Sequence, residues 1–139
     1  MTKLLRISTC LAFALALSAP QTQAQVDLDM AELEHSSAAT PEEREAWLFA
    51  EAGRHIKARE MADAILKKHP DSFVAHMVIG YVNHYAEADF PRALFYLERA
   101  LALFEQRYGD SPDLSRPWRW HANLLKELAN VHGTLEHYS

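Results

Sequence analysis

The sequence predicts an all-α fold built from antiparallel helix-turn-helix repeats behind a secretory leader. Three observations predict it. Apolar residues recur at helical spacing in five segments, and no stretch shows the alternation that is typical of a strand. Most connections between these segments are short, which places consecutive helices antiparallel to each other. The chain begins with basic residues and a short apolar run, which is the layout of a signal peptide.

The leader occupies residues 1–24, and cleavage is expected after Ala24. Lys3 and Arg6 precede "CLAFALALSA", an apolar run of ten residues. A membrane span needs about 20 apolar residues, so we expect a cleaved signal and not an anchor. Cys10 stands at the start of this run, whereas lipid attachment needs a cysteine after it. The sequence therefore predicts a periplasmic or secreted bacterial protein without membrane insertion after cleavage.

The mature chain is acidic and lacks cysteine. The leader holds two of the 14 basic residues and none of the 19 acidic ones, so its removal shifts the formal net charge from −5 to −7. Nucleic acid is not expected as a partner, because its phosphates are repelled by such a surface. Residues 25–39, "QVDLDMAELEHSSAA", are acidic and aperiodic, and we expect a mobile lead-in there.

The first helix is predicted over residues 41–52 from its capping residues. Thr40 is the expected N-cap, Pro41 takes the first helical position, and Glu43 completes a capping box. Gly53 follows as a breaker, so the helix should end just before it.

The later helices are bounded by proline and by turn residues in the same way. We expect them over residues 55–68, 72–85, 89–106 and 118–133 or beyond. Pro70 ends the second helix, and Pro91 is tolerated because it falls in the first turn of the fourth. The stretch "YGDSPDLSRP" is a loop by composition.

Small residues occupy the centre of the buried stripe in the fourth helix. At about 100° per residue, this stripe consists of Ala93, Leu97, Ala100 and Phe104. Gly80 lies in the middle of the third helix, where glycine costs about 1 kcal/mol relative to alanine. We interpret Gly80, Ala93 and Ala100 as gaps that let the third and fourth helices approach closely.

The stretch "AHMVIGYVNHYAEADFPRALFYLERALAL" resembles a tetratricopeptide repeat (TPR). The positions that match this family are Ile79–Gly80, Asp89–Phe90, Ala93 and Ala100. A weaker copy, "EAGRHIKAREMADAILKKHPDS", precedes it, and a third begins at "NLLKELANVHGTLEHYS". Ala58 lies 35 residues before Ala93, close to the family period of about 34.

The resemblance implies a TPR-like α-solenoid over residues 40–139. Its units would cover residues 40–71, 72–107 and, in part, 118–139, with residues 108–117 as a loop. The third unit would lack its second helix, so we expect a chain truncated within that unit or covered there by another chain. The apolar stripe that would then face a missing partner consists of Leu124, Leu128, Val131 and Leu135.

No catalytic or metal-binding pattern is present in the sequence. None of the eight histidines lies three or four residues from another, the spacing of a helical metal pair. The mature chain has no cysteine nucleophile, no G-x-S-x-G, no H-E-x-x-H and no P-loop. We therefore predict a protein that is not an enzyme and has no cofactor or metal.

One aromatic and basic cluster, "RPWRWH", has two interpretations. Trp118 and Trp120 could stack on a peptide or carbohydrate together with the neighbouring arginines. Alternatively, one tryptophan anchors the loop against the core while the arginines face water.

The TPR resemblance implies a protein–protein interaction scaffold of the cell envelope. Members of that family bind peptides or partner helices on a concave face lined by the first helix of each unit. Carried over position by position, the peptide- or protein-binding residues would be Trp47, Glu51, Met77, Tyr81, His84, Lys126 and Asn130. The alternative is an N-terminal repeat module of a larger envelope enzyme or metal-binding protein.

Overall fold

The computed structural model describes residues 38–109 and 117–138, and within them the fold is all-α without strands. Its helices are α1 (Pro41–Glu51), α2 (His55–Lys68), α3 (Phe73–Tyr85), α4 (Phe90–Tyr108) and α5 (Trp118–Tyr138). The predicted helices are confirmed, and α5 continues beyond residue 133 by more than one turn. The expected leader and almost all of the expected lead-in lie outside the described residues.

Helices α1 and α3 begin at side chains that cap them, and for α1 this is the capping box that the sequence predicts. Thr40 and Glu43 form the capping box, with the Glu43 amide donating to Thr40 Oγ1 at 3.2 Å and the Thr40 amide donating to Glu43 Oε2 at 2.7 Å. Ser72 caps α3 by accepting from the Ala75 amide at 3.1 Å. These local hydrogen bonds satisfy amide groups that have no partner inside the helix, which is why the boundaries could be predicted.

The Glu43 carboxylate also joins the starts of two helices. Its Oε1 accepts a hydrogen bond from the Ser72 hydroxyl, so one side chain of α1 contacts the N-cap of α3. Glu43 and Ser72 are both buried. Their pairing fixes the distance between the N-termini of α1 and α3 and compensates the burial of a charged group.

The helices pack in a helix-repeat-like arrangement. Each helix packs against the next one in sequence, and α3 also contacts α1 and α5. The first, third and fifth helices therefore lie side by side as one layer, with α2 and α4 behind them. Helix α3 is surrounded by the other four helices, and most of its side chains are buried.

The small residues of α3 and α4 mark the closest helix contact. Ala93 and Ala100 are fully buried, and Gly80 is buried opposite them. A Cβ atom at Gly80 would lie 2.6 Å from Leu97 Cγ and 3.2 Å from the Ala93 carbonyl oxygen. The expectation that these positions are gaps for close helix packing is confirmed.

The expectation for the last helix was wrong. The stripe that was expected to face a missing partner is inside the fold: Leu124 and Val131 are fully buried, and Leu128 is 8% exposed. Leu135 packs at the margin of the same core. The reason is that α5 turns this stripe toward α4 and α3.

Candidate partner-binding face

Helices α1, α3 and α5 together present a face rich in aromatic side chains, which we call the α1–α3–α5 face. Trp47 of α1 makes edge-to-face contacts with Tyr81 of α3 at 5.3 Å and with Trp120 of α5 at 6.2 Å between ring centroids. The row continues along α3, where the Tyr81 and Tyr85 rings lie 4.4 Å apart. Because Tyr85 lies one turn after Tyr81 on α3, it extends the row that begins with Trp47 and Tyr81.

A buried carboxylate lies at the centre of a polar network on this face. Glu127 of α5 is 1% exposed. Its Oε2 accepts from the Tyr85 hydroxyl at 3.0 Å and from Asn130 Nδ2 at 3.4 Å, while Lys126 Nζ lies 3.0 Å from Oε1. Asn130 also donates to the Tyr85 hydroxyl oxygen at 3.1 Å. The network compensates the buried charge and connects α3 to α5.

The tyrosines of this face are held in the neutral form. Burial, followed by the Glu127 charge and its hydrogen bond, raises the pKa of Tyr85 to about 12. Burial also raises the pKa of Tyr81, and the carboxylates of Glu127 and Glu51 act in the same direction. Both hydroxyls therefore keep their protons near neutral pH and can donate hydrogen bonds.

His84 lies at the far end of the aromatic row in a defined tautomer. Its ring is 4.2 Å from the Tyr85 ring, and Nε2 lies 3.2 Å from Thr134 Oγ1. The Thr134 hydroxyl donates its only proton to the Asn130 carbonyl oxygen at 2.8 Å, so Nε2 must be the donor to Thr134. Burial lowers the pKa of His84 against the opposing effect of Glu127.

A groove of about 310 Å³ opens between α1 and α5 next to the aromatic row. It is lined by Trp47, Leu48, Glu51, Trp118, Arg119, Ala122 and Asn123. Leu48 is 63% exposed and Trp118 is 43% exposed, so both sides of the groove present apolar surface. The Arg119 guanidinium lies 5.6 Å from the centroid of the Trp118 ring.

The two tryptophans of the "RPWRWH" cluster have different places. Trp120 is buried and packs edge-on against Phe73, with ring centroids 6.1 Å apart, as well as against Trp47. Trp118 stands at the start of α5 and is largely open to the groove. The anchoring interpretation therefore holds for Trp120, while Trp118 is available to a ligand.

Four of the seven predicted binding residues come together in the structure. Tyr81, His84, Lys126 and Asn130 lie around the Tyr85–Glu127 pair. Trp47 forms the wall between the aromatic row and the groove, and Glu51 lies at the groove edge. Met77 is fully buried in the core, and it does not reach this face.

Sequence reasoning missed Tyr85, Glu127 and Leu48. The signal for the first two was present in the helical spacing. Tyr85 lies one turn after Tyr81, and Glu127 lies between Lys126 and Asn130. The pairing itself joins residues 42 positions apart, and no local pattern predicts such a contact.

The described residues contain no group of three or more His, Cys, Asp or Glu side chains that could hold a metal ion. Among the helices of residues 38–109 and 117–138, none is both long and apolar enough for a membrane span. No family model, curated protein or solved structure matches this chain.

Proposed function

We propose that this chain is a non-enzymatic interaction scaffold of TPR type, exported to the cell envelope, that binds a segment of a partner protein on its α1–α3–α5 face. The helix-repeat-like packing supports the scaffold assignment, as does the close contact around Gly80 and Ala93. The near-regular spacing of the small residues supports the TPR relationship. The signal peptide predicted for residues 1–24 supports export.

The groove between α1 and α5 carries the binding proposal. Leu48 and Trp118 expose large apolar surfaces on its two sides, beside the aromatic row. Aromatic side chains at the centre of an interface supply much of the binding energy, and a polar rim supplies orientation. Here Glu51, Arg119 and Asn123 provide such a rim. An extended or helical segment of a partner fits this combination better than a small polar molecule.

Site-specific photo-crosslinking tests the proposal in the cells that make the protein. A photoreactive phenylalanine analogue replaces Leu48 in one version of the full chain and Trp118 in another. Phe95 of α4 is the matched control, because it is an exposed apolar residue, at 63%, outside the groove. We expect one protein product shared by positions 48 and 118 and absent from position 95.

Two results would contradict the proposal. Identical products from all three positions would indicate nonspecific capture by exposed apolar residues. The absence of a protein product at both groove positions would mean that no partner occupies the groove. Export is tested separately by sequencing the N-terminus of the chain recovered from the envelope fraction, where we expect Gln25 as the first residue.

A further inference from the structure

We infer that the partner segment is helix α5 of a second copy of this chain, and that two α5 helices pair antiparallel along the exposed outer stripe of this helix. The outer stripe consists of Trp118, Ala122, Leu125 and Ala129. This inference rests on the proposed function and names the partner that lies at the edge of the α1–α5 groove. It follows from the exposure of the stripe, from its order of large and small residues and from the way in which α3 packs on α4.

The outer stripe is an exposed apolar surface that is continuous with the groove. Trp118 is 43% exposed, Leu125 is 47% exposed, and both alanines are exposed as well. At about 100° per residue, the four side chains lie within an arc of about 60°. The stripe runs along α5 for about 16 Å, at about 1.5 Å per residue. Trp118 and Ala122 also line the groove, and Leu48 of α1 lies on its other side.

The fold already contains a helix contact built on the same spacing. The buried stripe of α4, which is Ala93, Leu97, Ala100 and Phe104, advances by four, three and four residues, and so does the outer stripe of α5. In α4, Leu97 lies against Gly80 of α3, where a Cβ atom would be only 2.6 Å from Leu97 Cγ. A large residue thus packs against a small one where these two helices meet. The outer stripe presents the same alternation to a further helix.

The outer stripe is complementary to itself when the two helices are antiparallel. With a two-fold axis between residues 123 and 124, Ala122 of one copy faces Leu125 of the other, and Trp118 faces Ala129. Each large residue then meets a small one, and each contact occurs twice. A patch that is complementary to its own copy is what a two-fold symmetric dimer requires. This match favours a second copy over an unrelated helix as the occupant.

The charges beside the outer stripe are compatible with self-pairing. A surface that pairs with its own copy brings like charges together, so each copy must balance its charges locally. Lys126 Nζ lies 3.0 Å from Glu127 Oε1, and Arg119 lines the groove together with Glu51. Both cations therefore have a carboxylate in their own copy. Two α5 helices can approach without a preference for an oppositely charged partner.

Sedimentation equilibrium tests for the dimer with the chain purified from the cells that make it. A contact along a single helix is small for a protein interface, so we expect a reversible dimer with a dissociation constant in the micromolar range. The average mass should rise with concentration from that of one chain toward that of two. A chain that remains monomeric up to about 1 mM would overturn the inference.

Two single substitutions in the outer stripe should each weaken the dimer by at least about tenfold. Leu125→Ala leaves a gap opposite Ala122 of the second copy, whereas Ala122→Leu places two leucines against each other. The matched controls on α4 are Phe95→Ala and Ala102→Leu, because both residues are exposed and lie outside the outer stripe. They should change the dissociation constant by less than about twofold to threefold. Controls that weaken the dimer as much as the stripe variants would overturn the inference.

A mixture of the two stripe variants tests the pairing itself. In a mixed dimer of Ala122→Leu and Leu125→Ala, both contacts again join a large residue to a small one. The mixed pair should therefore bind nearly as tightly as the unmodified chain, although neither variant pairs well with itself. Sedimentation of one fluorescently labelled variant in an excess of the other measures this affinity. A mixed pair that is no tighter than the variants alone would overturn the antiparallel register.

The photo-crosslinking experiment separates this inference from the proposed function. A product that consists of two copies of the chain supports the inference. A product formed only with a different protein would overturn the inference and leave the interaction scaffold in place. The absence of a product at both groove positions would contradict the scaffold proposal and this inference with it. Circular dichroism of each variant checks that the fold is retained.

Discussion

Replacement of Gly80 by alanine tests the closest helix contact of the fold. The added Cβ would lie 2.6 Å from Leu97 Cγ, 3.0 Å from Leu97 Cδ2 and 3.2 Å from the Ala93 carbonyl oxygen. Leu97 is fully buried, so it has no open space into which to withdraw. The Ala93 oxygen belongs to the backbone of α4, and the two helices would have to separate.

Two opposing terms determine how much Gly80→Ala changes the free energy of unfolding. Alanine favours the helix over glycine by about 1 kcal/mol, whereas overpacking a buried contact costs about 1–3 kcal/mol. The backbone contact places the cost in the upper part of that range, so the free energy of unfolding should fall by about 1–2 kcal/mol. For a domain of this size, each kcal/mol lowers the melting temperature by about 4–8 °C.

Gly133→Ala provides the matched control. Gly133 also lies inside a helix, but a Cβ atom there would meet nothing within 4 Å. Only the helix term remains, so this variant should gain up to about 1 kcal/mol. Urea unfolding followed by circular dichroism measures both. A Gly80→Ala variant that is stabilised as much as Gly133→Ala would refute the close-packing explanation.

A double-mutant cycle with Leu97→Ala tests whether the Leu97 side chain causes the loss of stability in Gly80→Ala. Shortening Leu97 removes the atoms nearest to the new Cβ, although it costs about 2–5 kcal/mol by itself. In this background the cost of Gly80→Ala should fall, and the part that remains reports the contact with the Ala93 oxygen. If its cost stayed the same, the clash with Leu97 would not be its cause.

Three further predictions concern the polar and titratable groups. Tyr85→Phe removes a donor to the buried Glu127 carboxylate, so unfolding in urea should require about 1–2 kcal/mol less. The neutral Tyr85 phenol, with its pKa raised from 10.0 to about 12, binds its proton more tightly in the folded state. Its contribution to stability is therefore present below pH 10 and lost as pH rises toward 12. In a spectrophotometric pH titration, the phenolate absorbance that develops near pH 12 should be absent from Tyr85→Phe. Ser72→Ala removes the cap of α3 together with a partner of Glu43, and thermal unfolding should show a loss of about 1–2 kcal/mol. Burial lowers the pKa of His84 from 6.5, so the folded state resists its protonation; stability should fall as pH drops below 6.5, and His84→Gln should reduce that slope in unfolding curves measured across this range.

The helices and their starts could be predicted because their causes are local. The hydrogen bonds of Thr40, Glu43 and Ser72 at the helix starts each join residues three positions apart. Both partners of each bond are therefore visible in one short stretch of the sequence. The contact at Gly80 was also predictable. Glycine is unfavourable inside a helix, and the alanines of the next helix indicated that close packing offsets its cost.

The burial of α5 could not be predicted in the same way. This helix carries apolar side chains on two sides, with Leu124 and Val131 on one and Leu125 on another. Helical periodicity identified the Leu124 stripe as apolar, but it does not say whether the neighbour that covers the stripe belongs to the same chain. The structure buries the Leu124 stripe and leaves Leu125 47% exposed. The outcome depends on how α5 packs against α4 and α3, which no local sequence pattern specifies.

The residues of the candidate face could also be predicted only in part, because their exposure depends on how the helices pack. The TPR resemblance placed Met77 on the face, but α3 is enclosed by four helices, and on this side it brings the strip of Tyr81, His84 and Tyr85 near the surface. Helix α5 then sets the polar surroundings of this strip, because its Glu127 carboxylate engages Lys126 and Asn130. The ligand chemistry of such a face follows from the contacts between its helices as much as from the residues that line it.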